Sequence, residues 1–480
     1  MSAKTSFYKL HRIFGLIALV PVICWTVSGL SHPFMSNWFR PFIPVEVYKP
    51  PVQSELRPAL SIQQVLDINH ITTLRNFGLV SFNKATYYQV LDKDSVYSYY
   101  TTNDGGLLKR GDQLYAEWLA RYFTEDSVAG IKSIRLQKTF DGQYQPINHL
   151  LPVWKVSFDR PDRIDVYIET GQSRMGTFNN NTRKALLWVF EQLHTWEFLT
   201  AIAGDTVRNV FLLAIITVMF FSLLSGLIIY GLFWKKFKAA AQKRKESRRY
   251  DKRFLYRYHR QIGLYVSFVM LTFVISAAFH LFVKLHNNEA EKAPYAQLID
   301  RKKLSLSNLN LPIADSTIRK VGLAKFNDHS YYQVSNNKKA ILYFDTQTGV
   351  ALTDGDKTFA AFLSEYYRPE SNGIKQVKGK LKVSQVRQFD NEYGFINKRL
   401  PVQKVSYPGN ENWYIETTTA KLATKVNGLD RAEGFSFIFL HKFFYMSWAG
   451  KDIRDIVSML AALGVLVVAV LGFLSFSKNK

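Results

Sequence analysis

A single cysteine, Cys24, stands in 480 residues, so no disulfide framework braces this chain and no cysteine cage holds zinc or an iron–sulfur cluster. The C-x-x-C-H pattern that attaches haem covalently is absent for the same reason. No glycine-rich nucleotide loop is present either, which argues against a flavin or nicotinamide site within the chain. Negative charge is scarce: 38 Asp and Glu face 62 Lys and Arg, a formal net charge of +24. Such an excess suits nucleic acid or an anionic membrane surface, and the position of the charge separates the two.

Long apolar runs are what the chain has in quantity. Four of them, at about 12–33, 208–234, 260–283 and 455–476, reach the roughly 20 residues a membrane-crossing helix needs. Between the second and third, residues 235–260 carry twelve Lys and Arg against Glu246 and Asp251 alone. Short loops of this kind stay in the cytoplasm. The run therefore reads as a topology determinant in touch with membrane lipid, and nucleic acid is set aside. The basic start, MSAKTSFYKLHR, leads into the first run as a retained signal anchor. Both termini are then cytoplasmic, and the long segments between spans lie outside. The expected division is a first span in 1–34, an outside domain in 35–205, a second span in 206–234, and a basic cytoplasmic loop in 235–258. A third span in 259–283, a second outside domain in 284–453, and a fourth span with a short tail in 454–480 complete it.

The two halves repeat each other. FDGQYQPINHLLPVWKVSF (140–158) matches FDNEYGFINKRLPVQKVSY (389–407), GLVSFNKATYYQV (78–90) matches GLAKFNDHSYYQV (322–334), and VYIET (166–170) matches WYIET (413–417), at offsets of 244 to 249. Each half is span, outside domain, span, in one orientation. Outside, short runs of alternating polarity such as ATYYQVLDK and RIDVYIET are punctuated by NDGG and TQTG and interrupted by helical stretches at 113–123 and 359–368. The fold class is an α+β integral membrane protein: four transmembrane helices and two α+β domains, arisen by tandem duplication.

The duplication also sorts the ten histidines. His11 matches His259 and His32 matches His280, both at offset 248, while His194 matches His441 at 247. His70, His149, His286 and His329 have no histidine at the matching place; Lys398 stands opposite His149 and Ala85 opposite His329. Within each half, the first two paired histidines are 21 residues apart. A helix of that length rises about 31 Å, close to the hydrocarbon thickness of about 30 Å. At 100° per residue the two imidazoles end within about 60° of one direction.

Ionisable side chains inside a span point to function, and imidazole is a strong ligand for metals and haem iron. Haem b suits the pattern, since it takes axial ligands from facing helices and needs no covalent link. His11 and His259 form the expected inner pair, because the second and fourth spans offer no histidine there. His32 and His280 form the expected outer pair. His194 and His441 lie in amphipathic stretches resting on the outer membrane surface, where they replace or supplement that pair, line an acceptor's docking place, or simply pack. Arg12, Arg260, Arg208 and Arg454 flank these positions, either clamping haem propionates or anchoring the spans by snorkelling. Trp25, with Phe273 at the matching place, either assists electron passage or fills space.

Through LHRIFGL…TVSGLSHPF, YHRQIGL…ISAAFHLF and LHTWEF…GDTVRNV…SGLIIYGLFW, the chain resembles the PepSY-associated transmembrane family, the iron-regulated membrane proteins. Within it, the likeness is greatest to inner-membrane ferric-siderophore reductases, and it covers nearly the whole chain. It departs from the family pattern at SAAFH, where small-residue SG is usual near the span end. The resemblance implies two periplasmic PepSY-like domains, two or more haems b, a ferric siderophore as electron acceptor and a cytoplasmic or quinol electron donor. Other expectations kept open are a quinol-linked dihaem cytochrome b with a different acceptor, a transporter of parallel repeats, and a PepSY-type regulator of proteases.

Overall fold

Each apolar run folds as one long helix in the computed structural model: Ala3–Pro33, Glu197–Leu232, Phe254–His286 and Lys451–Ser477. All four are long and apolar enough to cross a membrane. The structure describes residues 3–45, 49–51, 58–247, 254–286, 292–305, 318–336, 338–368 and 381–477. The expected basic loop begins as a helix, Trp234–Ser247; its residues 248–253, and 478–480 of the tail, lie outside the described residues. At 1.5 Å per residue even the 27-residue fourth helix is about 40 Å long. The helices thus outrun the apolar runs and carry their polar ends past the hydrocarbon.

Pro21 sits inside the first helix without ending it, a tolerance seen where neighbouring helices satisfy the freed backbone. The second helix turns instead at Gly204, with φ 81° and ψ 166°. Gly450 repeats that conformation, φ 87° and ψ 165°, directly before the fourth helix. Only glycine adopts this region at little cost, so the duplication has kept even its bend.

The chain forms two compact units: a helical one from Met1–Arg40, Thr182–Ala290 and Leu429–Lys480, and a sheet one from Pro41–Asn181 and Glu291–Gly428. The segments around His194 and His441, placed by sequence in the outside domains, belong to the helical unit.

The sheet unit holds two copies of one module. The first has an antiparallel sheet of Asn76–Phe82, Ala85–Leu91 and Tyr97–Thr101, then the helix Gly111–Thr124. A four-stranded meander follows, Gly130–Gln137, Val153–Asp159, Asp165–Glu169 and Arg174–Asn179. The second copy runs Ile318–Phe326, His329–Asn336, Ile341–Asp345, the helix Gly355–Tyr367, and a meander ending at Lys421–Val426. In each, residues four apart on the helix bury one stripe: Tyr115, Leu119 and Phe123 against Val156 and Ile168, and Phe359, Leu363 and Tyr367 against Val405 and Ile415. The copies share a core of Phe77, Leu79 and Tyr88 with Val321, Leu323 and Tyr332.

A buried ion network also joins the copies. Arg174 pairs with Glu169 of its own copy and with Glu416 of the other at 2.7 Å, and Arg399 meets Glu416 at 2.5 Å. Burial alone would raise both carboxyl pKa values; the guanidiniums of Arg174 and Arg399 outweigh it and hold them below the usual range. Groups depressed by folding stabilise above their unfolded pKa and lose that stabilisation as pH falls. Glu416→Gln, which strips two buried guanidiniums of a counter-charge, is expected to cost about 3–5 kcal/mol. Acidifying the wild type below about pH 4 should erode the same contribution progressively. Thermal unfolding of the full chain checks both, and an unmoved midpoint in the variant would show the network to be dispensable.

Candidate functional site

The four long helices pack around Ala18, Val22, Leu212, Ile216, Val274 and Val465. At one end of this bundle, the first and third helices bring His11 and His259 together. His11 Nδ1 lies 2.9 Å from the Ser222 carbonyl, and His259 Nδ1 lies 3.0 Å from the Val468 carbonyl. A carbonyl only accepts, so each ring carries its proton on Nδ1 and keeps a bare lone pair on Nε2. Ligating histidines commonly present this arrangement, the far nitrogen bonded to backbone while the near one faces the metal.

Glycine makes the room. A Cβ at Gly226 of the second helix would stand 3.0 Å from His11 Cε1, and one at Gly472 of the fourth would stand 2.9 Å from His259 Cε1. The ring centroids are 6.2 Å apart with planes inclined at 47°. Two imidazoles ligating one metal from opposite sides, through bonds of about 2 Å, hold their centroids roughly 6–6.5 Å apart.

A second pair forms further along the bundle. The helix Asn181–Phe190 passes into a single π turn, Glu191–Thr195, and Gly428–Ser436 passes into its counterpart, Phe437–His441. A π turn adds a residue and re-aims the side chains that follow. Here it directs His194, stacked on Phe190 at 4.5 Å, and His441, stacked on Phe437 at 5.1 Å, toward each other. Their centroids are 6.3 Å apart and their planes perpendicular. Both rings are enclosed by the bundle, and imidazole ligates in its neutral form.

The sequence places these rings in amphipathic stretches, and in the structure both turn toward the long helices. The Trp25 indole donates to the His194 carbonyl at 2.9 Å, and Ser28 Oγ lies 3.0 Å from His194 Nδ1. Residues 25–28 are 14–17 positions along the first helix from His11, or about 21–26 Å. His32 packs 5.6 Å from Phe190, with Nδ1 3.5 Å from Ser36 Oγ. His280 packs 5.5 Å from Phe437, with Nδ1 2.6 Å from Glu433 Oε1. Among the described residues no ring contact joins His32 to His280, and the pair that faces at this end of the bundle is His194 with His441.

The four arginines have partners of their own. Arg12 lies over the Phe476 ring at 5.0 Å and Arg260 over Phe237 at 3.9 Å. Arg208 pairs with Glu197 and with Asp205 at 2.8 Å, and Arg454 lies over Phe444 at 4.3 Å. Trp25 stands 5.9 Å from Trp196, while Phe273 stands 5.1 Å from His441.

Sequence reasoning missed Gly226, Gly472, Ser28 and Glu433. The first two were within reach, as glycines at matching places one turn past Ser222 and Val468; the others show only in three dimensions. Among the described residues no three His, Cys, Asp or Glu side chains converge as a bare metal ion requires. A porphyrin brings four nitrogens of its own, and two imidazoles complete its iron. The donor set therefore fits haem. The family model described as the PepSY-associated TM region matches residues 126–478. No curated protein matches the chain.

Proposed function

The chain belongs to the PepSY-associated transmembrane family, and from that premise we propose that it is a haem b reductase of the bacterial inner membrane, passing electrons outward to a ferric siderophore. The observation that carries the reading is the His11–His259 pair, with both Nδ1 protons held by helix carbonyls and a 6.2 Å centroid separation. When bound, haem supplies a one-electron iron couple. The protein's part is to hold, orient and insulate. His11 and His259 would hold the inner haem, the Ser222 and Val468 carbonyls fix their tautomers, and Gly226 and Gly472 leave the rings their space. His194 and His441 would hold the outer haem. The apolar packing of Val22, Leu212, Ile216 and Val274 keeps water from the interval between the pairs.

The basic run after the second helix favours a cytoplasmic position for the His11–His259 end, where a cytoplasmic or quinol donor delivers electrons. The His194–His441 end then faces the acceptor side. Ferric iron is the substrate there: one added electron gives Fe(II), which hard oxygen ligands hold more weakly, and iron is released.

Full-length protein purified in detergent from haem-replete cells is expected to be red, with the reduced-minus-oxidised spectrum of low-spin haem b. Mixed anaerobically with a ferric trihydroxamate, the reduced protein should reoxidise while a ferrous chelator develops colour. A colourless preparation would overturn the haem reading. Failure of every ferric chelate to reoxidise a red protein would overturn the acceptor alone.

A further inference from the structure

The duplication places Ser28 opposite Ser276 and Trp25 opposite Phe273 at offset 248, with His194 opposite His441 at 247. The equivalent residues are not equivalently bonded. In the first half, the Ser28 hydroxyl donates to the Cys24 carbonyl at 2.8 Å. That uses its one hydrogen, so its oxygen accepts the Nδ1 proton of His194 across 3.0 Å. The Trp25 indole fixes the His194 carbonyl as well. Ring, tautomer and backbone of His194 are thus all tethered to the first helix, around a serine with no exposed surface.

In the second half these tethers are missing. Ser276 Oγ and His441 Nδ1 are both buried without a hydrogen-bond partner among the described residues, and Phe273 has no N–H to offer. His441 is held by ring packing, against Phe437 and Phe273 at 5.1 Å each. The inner pair shows no such imbalance, since His11 and His259 each bond a helix carbonyl.

We infer that the outer imidazole pair is unequal: His194 is the anchored ligand, positioned by Ser28 and Trp25, and His441 is the ligand that yields. This rests on the reading above, in which the pair holds haem. An imidazole whose far N–H is bonded is pre-oriented and a stronger donor, and loss of such a partner commonly weakens metal binding about 10- to 100-fold. The bond to His441 is therefore the weaker of the two, and a small neutral ligand enters the outer site from that side. The inner site, tethered on both sides, stays closed to it.

The test uses full-length protein loaded with haem, read by haem-to-protein ratio, spin state and carbon monoxide binding. Reduced wild type is expected to bind carbon monoxide at one haem of two. His441→Ala should keep its outer haem, now high-spin, while His194→Ala should lose it. Ser28→Ala and Trp25→Phe should weaken outer haem retention about 10- to 100-fold, and Ser276→Ala should leave it unchanged. Equal loss from His194→Ala and His441→Ala, or equal effects of Ser28→Ala and Ser276→Ala, would overturn the inference. Wild type without haem would instead overturn the function on which it rests. Circular dichroism and elution volume identify a variant that has failed to fold, and in that case the serine comparison decides.

Discussion

His11→Ala protein is expected to retain about half of the wild-type haem and to pass no electrons to a ferric chelate when reduced from the cytoplasmic side. The imidazole would supply half of the protein ligation at the inner site, and it is as well tethered as the His259 that remains, so its loss removes a full-strength ligand rather than a yielding one. Its removal also leaves a cavity the size of the ring, lined by Gly226 and the Ser222 carbonyl. Imidazole added to the buffer should enter that space and restore part of the haem, which a merely misfolded variant would not do. Gly226→Val reaches the same end from the opposite side. Its Cβ would stand 3.0 Å from His11 Cε1, and its methyl groups would drive the ring from its bond to Ser222. Haem content is the measurement for both. A full complement in His11→Ala, with an unaltered low-spin spectrum, would remove the inner pair from the electron path.

The architecture was legible in the sequence wherever the membrane simplifies the physics. A helix in hydrocarbon must satisfy its own backbone, so an apolar run of sufficient length has one solution, and the four helices appear where the four runs are. The repeat offset alone pairs His11 with His259, His32 with His280 and His194 with His441. Which outer histidines face each other was not legible. That choice depends on a π turn at Glu191–Thr195 and another at Phe437–His441, each a one-residue change of register with no signature in composition. The limits of the two compact units, at Arg40 and Thr182 and at Ala290 and Leu429, were not legible for a related reason. The segments before the second and fourth helices have polar faces, which read as outside material, yet their apolar residues pack on the bundle. The tethers of Ser28, Trp25 and Glu433 lie between positions more than 150 residues apart, and no local pattern announces them.

His194→Ala and His32→Ala should part company sharply. His194→Ala is expected to lose the outer haem and with it all reduction of a ferric chelate, whereas His32→Ala and His280→Ala should keep haem content near wild type. The reason is separation: His194 and His441 face each other at 6.3 Å, as two axial ligands of one iron do, while His32 and His280 are turned to Phe190 and Phe437. The difference matters to electron transfer as well. His32 stands 21 residues beyond His11, about 31 Å along the helix, against about 21–26 Å for the level of Trp25 and Ser28. Tunnelling rates fall steeply with distance, so lowering the outer pair into the bundle shortens the step that limits a transmembrane path. Haem-to-protein ratios of the three variants decide the matter. Loss of haem in His32→Ala with retention in His194→Ala would return the outer site to the His32–His280 level and require the longer step.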